Sequence, residues 1–164
     1  MATASVDRCV DRLNSLLRGE ISAVETYDQA IRKVDDEHTS DATALRAIAQ
    51  EHGENAQSLR DAIRELGGEA DDSSGTWGAW AKTVEGVSRL FGDTSAVKAL
   101  REGEEHGLKD YEEAVQDVDE ASRALFMTRM IPSQERHIAT LDGMMRKIGK
   151  MGSGIHRSPG RRTT

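Results

Sequence analysis

The amino-acid sequence predicts an all-α protein, a bundle of four long helices, from three observations. Apolar residues recur three and four positions apart along four long stretches, which is the spacing of one face of a bundle helix. Aromatic residues make up 4% of the 164 residues and there are two prolines, a composition that favours helices over a β-sandwich or barrel. A chain of this length fits one domain with a substantial core.

The first two helices are predicted to form an antiparallel hairpin. The first runs from about Val6 to Val34. The second begins near Ser40 and Asp41, which are good N-cap residues, and it ends at the glycines of residues 67–68. Only a short turn around residues 35–39 fits between them, so the two helices must lie side by side.

The third and fourth helices are predicted to form a second hairpin in the same way. The third follows Asp93 and ends near Val118, and the fourth starts near Asp119 and ends at Ile148. Pro132 lies inside the fourth helix and is expected to kink it about one turn earlier, because proline lacks the backbone N–H.

A long crossover, residues 67–92, connects the two hairpins. It opens with a flexible polar stretch, GGEADDSSG, and continues with a short amphipathic helix that contains Trp77 and Trp80. The two tryptophans either cover one edge of the bundle or form a homodimer contact. We assign residues 1–149 to the bundle domain and residues 150–164 to a basic, disordered tail.

Several functional classes are not expected. The net charge of −7 argues against a basic groove for nucleic acid. No apolar stretch is long enough to cross a membrane, and the first residues lack the apolar core of a signal peptide. The single cysteine, Cys9, excludes an intramolecular disulfide and a multi-cysteine zinc site, and it fits a reducing compartment. We therefore expect a cytoplasmic protein.

The predicted first and third helices repeat one pattern. RGEISAVETYDQAI (18–31) and EGEEHGLKDYEEAV (102–115) each place a Gly-Glu pair before a tyrosine at the same spacing. We interpret the pattern as an internal repeat of two related hairpins. Glycine costs roughly 1 kcal/mol inside a helix. We therefore interpret Gly19 and Gly103 as positions where a neighbouring helix approaches closely beside the glutamate.

Polar residues interrupt the apolar stripe near the middle of every helix. They are Glu20 and Tyr27, His52 and Asn55, Glu104 and Tyr111, and Gln134 and His137. Because all four interruptions fall at mid-helix, these side chains are expected to meet at one level of the bundle. Buried carboxylates are costly and repel each other, so either a metal cation or a hydrogen-bonded network must compensate them.

The order of these residues resembles the ferritin-like superfamily, in which two helices each supply one glutamate and two supply a Glu-x-x-His pair. More closely, the sequence resembles the bacterial family of ferritin-like four-helix-bundle proteins of unknown function. The segments that carry this resemblance are LNSLLRGEISAVETYDQAI, EHGENAQSLRDAIRELGG, GTWGAWAKTVEGV, REGEEHGLKDYEEAV and IPSQERHIATL. The Glu-to-Tyr spacing is also similar to the first helix of bacterioferritins, and the resemblance to bacterioferritins and rubrerythrins is a distant one. The resemblance implies a ferritin-like bundle with two hairpins joined by a long crossover.

The resemblance also implies roles for individual positions. Glu20 and Glu104 fall on the terminal carboxylate positions of a di-iron site, and His137 falls on a terminal histidine position.

Three positions depart from the di-iron pattern. His52 and Gln134 stand in place of the bridging glutamates, and Asn55 stands in place of the other histidine. Two iron ions need bridging anions between them. The usual di-iron ferroxidase or oxygenase chemistry is therefore not expected.

The remaining carboxylates and histidines suit one divalent ion, Fe²⁺ or Zn²⁺, rather than two. The predicted ligands are Glu20, His52, Glu104 and His137. The residues expected to hydrogen-bond to these ligands, or to replace one of them, are Tyr27, Asn55, Tyr111, Gln134 and Glu51. Such a site would serve in metal or oxidative-stress handling.

Two alternatives stay open. One is a metal-free structural or interaction protein, in which a buried polar network satisfies every group. The other is a residual di-iron oxidase, an oxidoreductase that recruits Glu51 or Glu54 as a substitute bridge.

Overall fold

The computed structural model describes residues 2–75, 90 and 94–154, and the elements within these residues are helices. The first hairpin consists of α1 (Ala2–Arg32), a 3-10 turn (Asp36–His38) and α2 (Thr39–Glu65). The second consists of α3 (Thr94–Ala114), α4 (Glu120–Leu125), a π-helical turn (Phe126–Met130) and α5 (Ile131–Gly154). The last three segments are continuous and together make the fourth long helix, so the predicted all-α four-helix bundle is confirmed.

The second helix ends at a glycine as predicted, whereas the fourth helix continues past the glycine that is predicted to end it. Gly67 has a φ of 77° and ends α2 as predicted, because this left-handed conformation cannot continue a right-handed helix. Gly149 is not among the described glycines with positive φ, and α5 continues past it to Gly154. The predicted domain boundary at Gly149 therefore lies inside the helix. The rest of the predicted tail, residues 155–164, lies outside the described residues.

A π-helical turn lies directly before Pro132, at the position where a kink is predicted. The N–H of Ile131 donates to the carbonyl of Phe126, a five-residue spacing in place of the usual four. The next residue, Pro132, has no N–H to donate. The π-helical turn thus sets the rotation of the segment that follows, which carries Gln134 and His137.

The described part of the crossover is attached to α1. The Asn14 amide donates to the carbonyl of Glu69 at 2.8 Å and accepts from the N–H of Asp71 at 2.9 Å. Farther along, Ser74 donates to Glu25 at 3.0 Å. The polar stretch predicted to be flexible is therefore held along α1. The short helix predicted within the crossover, with Trp77 and Trp80, lies outside the described residues, and the homodimer contact stays a prediction.

The hydrophobic core consists of two apolar clusters, one on each side of the mid-bundle polar residues. One cluster contains Leu45, Leu100 and Leu141, and the other contains Leu13, Leu59 and Phe126. This arrangement follows from the helical stripes, which are apolar toward both ends and polar in the middle. Among the described residues, no helix has the length and apolar character needed to cross a membrane.

Candidate metal centre

The polar side chains predicted to meet at mid-bundle do so. Glu20 of α1, His52 of α2, Glu104 of α3 and His137 of α5 are each only 2–3% exposed. Each residue sits at a core-facing position of its helix, so four separate helices bring their side chains into one buried cluster.

His52 lies between the two buried glutamates. Its Nδ1 is 2.6 Å from Oε2 of Glu20, and its Nε2 is 2.9 Å from Oε1 of Glu104. Because carboxylates only accept hydrogen bonds, both ring nitrogens must carry a proton for both bonds to form. In this arrangement His52 is an imidazolium ion that binds both carboxylates and offsets the repulsion between them.

His137 makes a similar pair of contacts on the other side of Glu104. Its Nδ1 is 3.2 Å from Oε2 of Glu104, and its Nε2 is 3.1 Å from Oε2 of Glu51. Glu51 is partly exposed and also accepts from Arg136 at 3.1 Å. Each histidine therefore lies between Glu104 and an outer carboxylate, which is Glu20 for His52 and Glu51 for His137.

The two tyrosines of the sequence repeat bind the glutamates reciprocally. Tyr27 donates to Oε1 of Glu104 at 2.5 Å, and Tyr111 donates to Oε1 of Glu20. Each tyrosine thus reaches the glutamate of the other hairpin rather than its own. Together with the histidine contacts, these bonds give every oxygen of both buried carboxylates a partner.

The two predicted amide residues are buried but incompletely bonded. Nδ2 of Asn55 and Oε1 of Gln134 have no hydrogen-bond partner, although Asn55 is 1% and Gln134 is 3% exposed. Oγ of Ser133 is a third buried polar atom without a partner. An unsatisfied buried polar atom costs roughly 1–3 kcal/mol. The amide part of the cluster therefore has unused hydrogen-bonding capacity that the carboxylate part lacks.

The charges of the cluster shift its proton equilibria in opposite directions. Burial by itself would raise the pKa of the Glu104 carboxyl, but the charge of His52 and hydrogen bonds from both histidines lower it to about 2. Burial by itself would lower the pKa of His52, but the charges of Glu104 and Glu20 raise it well above its usual value. For Tyr27, burial and the neighbouring carboxylate of Glu104 both raise the pKa of the hydroxyl, so it remains a donor.

These shifts predict how the stability of the metal-free protein depends on pH. Glu104 titrates near 4.5 when unfolded and at about 2 when folded, so its contribution is lost as the pH falls from 4.5 towards 2. The pKa of His52 is raised from 6.5, so its contribution is complete below 6.5 and is lost as the pH rises above that value. The free energy of unfolding is measured by urea titration with a chelator present. It is expected to be highest between pH 4.5 and pH 6.5 and to decline at lower and at higher pH. A His52→Gln variant should lack the alkaline decline, and an unchanged decline in that variant would contradict the assignment to His52.

Within the described residues, one group of side chains has the geometry to hold a metal ion. His52, Glu104 and His137 each offer a ligand atom, and the three atoms lie within 4.8 Å of one another. Two imidazoles and one carboxylate are a donor set found in mononuclear Fe²⁺ and Zn²⁺ sites. The cluster is thus compatible with one ion, whereas Asn55 and Gln134 offer no charged donor for a second.

The structure revises the interpretation of the helix glycines. A Cβ at Gly19 would meet no atom within 4 Å, so no neighbouring helix approaches it closely, and the predicted close approach at this position is wrong. Gly19 and Gly103 instead line a cavity beside the cluster. The close contact occurs at Gly107, where a Cβ would lie 2.6 Å from Nε2 of Gln134. The sequence offered one signal for this residue, a further glycine on the cluster-facing side of α3.

The sequence matches a known family over more than half of its length. A family described as a domain of unknown function, DUF2383, matches residues 8–117. This chain belongs to the DUF2383 family. The match includes Glu20, His52 and Glu104 but ends before His137, so the family-matched region of this DUF2383 protein carries three of the four glutamates and histidines of the buried cluster. No curated protein matches the chain in sequence.

Solved structures with the same fold support the ferritin-like architecture. The bacterioferritin-related protein from Bacteroides fragilis, described as a dodecameric thioferritin, superposes with a TM-score of 0.76 at 19% identity, over 93% of this chain and 92% of that chain. A ferritin-like, di-iron-carboxylate protein from Bacillus anthracis superposes with a TM-score of 0.54 at 19% identity, over 90% of this chain and 96% of that chain. At these identities the similarity shows that this DUF2383 protein shares their fold.

Proposed function

We propose that this protein binds a single divalent metal ion, Fe²⁺ or Zn²⁺, through His52, Glu104 and His137. The observation that supports this proposal is the convergence of two imidazoles and one carboxylate, all buried, with ligand atoms within 4.8 Å of one another. The ion would supply a positive charge at the centre of the bundle, where Glu104 is otherwise compensated by protonated histidine. A role in metal or oxidative-stress handling follows, because a buried ion is kept from uncontrolled reactions in solution.

Glu20 and Glu51 are proposed as outer carboxylates rather than ligands. Metal-binding histidines commonly donate their second ring N–H to a carboxylate, which fixes the orientation of the ring. Glu20 lies 2.6 Å from Nδ1 of His52, and Glu51 lies 3.1 Å from Nε2 of His137. Each histidine therefore has one nitrogen on the Glu104 side for the ion and one nitrogen held by an outer carboxylate.

A second candidate is the metal-free structural protein, and a specific contact favours it. His52 hydrogen-bonds both buried carboxylates, and its positive charge takes the place that a metal ion would have. In that case the cluster serves to specify the pairing of the four helices. The two candidates differ in one measurable property, which is whether a metal ion displaces a proton from His52.

The di-iron alternative has less support from the geometry. Oε2 of Glu51 is already engaged by Arg136 and His137, and Glu54 is exposed and paired with Gln50 and Arg129. Neither carboxylate takes the place of a bridging ligand.

The Bacteroides fragilis protein is described as dodecameric, and this supports self-association of the present chain as a separate proposal.

Metal titration tests the proposal. Protein freed of metal with a chelator is titrated with Zn²⁺, with Co²⁺ as a spectroscopic probe, and with Fe²⁺ under anaerobic conditions. We expect one ion per chain. At a free-ion concentration 100 times Kd, binding adds about 2.7 kcal/mol of stability, which corresponds to a rise of roughly 5–10 °C in Tm for a chain of this size.

The outcomes distinguish the three hypotheses, which are a single-ion site, a metal-free bundle and a di-iron site. No stoichiometric ion together with an unchanged Tm would refute metal binding and favour the metal-free bundle. Two ions per chain would favour the di-iron alternative. A His106→Gln variant is the matched control, since this histidine is 45% exposed and lies outside the group of three, and it should bind the ion as the parent protein does.

A further inference from the structure

A cavity of about 60 Å³ lies between α1 and α3 and reaches the buried cluster. Part of its lining consists of residues with small side chains or none, which are Gly19, Ala23, Ala99, Gly103 and Gly107. Its lining also includes Glu20, Glu104 and His52. A cavity needs about 10–15 Å³ of water-accessible volume to hold one water molecule. The cavity therefore has room for an ion with one or two water molecules next to the cluster.

One buried polar atom in the cavity lining has no partner. Gln134 lines the cavity, is 3% exposed, and its Oε1 accepts no hydrogen bond. Gly107 allows this arrangement, because any larger residue would place a Cβ 2.6 Å from Nε2 of Gln134. An amide oxygen is both a hydrogen-bond acceptor and a ligand for divalent cations. The orphaned oxygen is thus suited to a hydrated cation.

The outer part of the lining carries a carboxylate. Asp110 lines the cavity and is partly exposed, with its carboxylate 3.4 Å from Nε2 of His106, which is also exposed. Negative charge at the opening of a cleft raises the local concentration of cations. Arg136 and Glu51 do not line the cavity, and the positive charge of Arg136 beside His137 disfavours the approach of a cation at that side.

We propose that the cavity between α1 and α3 is the entry route by which a hydrated divalent cation reaches the cluster. Asp110 attracts the ion at the opening, and Oε1 of Gln134 replaces one of its water molecules inside. The ion then passes to Glu104 and His52, which line the inner end of the cavity. This inference depends on the proposed metal binding, and it adds a route and two residues that assist uptake.

Filling the cavity tests the route. Gly19 lines the cavity, and a Cβ at this position meets no atom within 4 Å, so a Gly19→Leu substitution is expected to place its side chain in the cavity. Uptake of Co²⁺ is followed by stopped-flow absorbance. We expect uptake at least 10 times slower than in the parent protein, with the same final stoichiometry of one ion per chain. An Asp110→Asn variant should also slow uptake and weaken its dependence on salt.

Gly53→Leu is the matched control. Gly53 is also in a helix, also next to a cluster residue, and also has no atom within 4 Å of its Cβ, but it does not line the cavity. It should load at the parental rate. If Gly19→Leu fails to fold, as judged by circular dichroism, Ala23→Leu fills the same cavity from the next turn.

The possible results distinguish the route from the site. Equal uptake rates in the parent and the Gly19→Leu protein, with one ion bound to each, would overturn the route and leave the proposed site standing. A parent protein that takes up no Co²⁺ at equilibrium would overturn both. Equal slowing by Gly53→Leu would assign the effect to helix perturbation and would also contradict the route.

Discussion

A Glu104→Gln variant is expected to lose stoichiometric binding of divalent metal while it keeps the four-helix fold. Glu104 contributes the carboxylate of the proposed ligand group, and it also contacts both histidines. Loss of a group that only orients a ligand lowers metal affinity 10–100-fold, so loss of the ligand carboxylate should cost more than about 100-fold. Isothermal titration with Zn²⁺ and the absorbance of bound Co²⁺ measure the change.

Glu105→Gln is the control for this experiment. Glu105 is the next residue of α3, but its side chain is exposed and pairs with Arg101. The substitution also converts a glutamate to a glutamine, and it should leave the affinity for the divalent metal ion unchanged. Parental affinity in the Glu104→Gln protein, with the fold intact by circular dichroism, would remove Glu104 from the ligand set.

A His52→Leu substitution is expected to lower the free energy of unfolding of the metal-free protein strongly. The substitution leaves Glu20 and Glu104 buried without the cation that lies between them. Removing one partner of a buried ionic group costs about 3–5 kcal/mol, because the other charge stays buried and unpaired. Urea unfolding in the presence of a chelator measures the loss. The deficit should shrink as the pH is lowered, because protonation neutralises the two carboxylates.

Two further variants identify the cause of that loss. Adding Glu20→Gln and Glu104→Gln to His52→Leu removes the unpaired charges and should recover much of the stability. His106→Leu removes an exposed histidine from a surface ion pair with Asp110, which is worth about 0–1 kcal/mol. A His52→Leu protein as stable as the parent would show that the histidine does not neutralise the cluster.

The contents of the candidate site could be predicted from the sequence because helix periodicity assigns residues to a face. Glu20, His52, Glu104 and His137 all fall on apolar stripes, so their burial in the core follows from spacing. The same reasoning predicted a kink before Pro132, where the structure has a π-helical turn, because a missing N–H acts locally. The first of these predictions concerns which side of a helix a residue occupies, and the structure buries all four side chains in the core.

The partners within the site could not be predicted in the same way. The sequence places each tyrosine near a glutamate of its own helix, yet Tyr27 bonds Glu104 and Tyr111 bonds Glu20. Glu51 falls beside the stripe rather than on it, yet its carboxylate reaches His137. Long side chains choose among neighbours on other helices, and small changes in helix position decide which neighbour lies within hydrogen-bond distance.

The helix glycines illustrate the difference between what the sequence determines and what only the tertiary structure determines. Gly19 and Gly107 have the same local cost in a helix, but one faces empty space and the other faces Gln134. The sequence by itself determined the four helices, their order, the crossover and the buried polar level, because these depend on periodicity and on connection length. Only the tertiary structure decided which three side chains converge, which carboxylates stay outside them, and where a cavity opens. Those features depend on the axial offset and separation of packed helices, which periodicity does not specify.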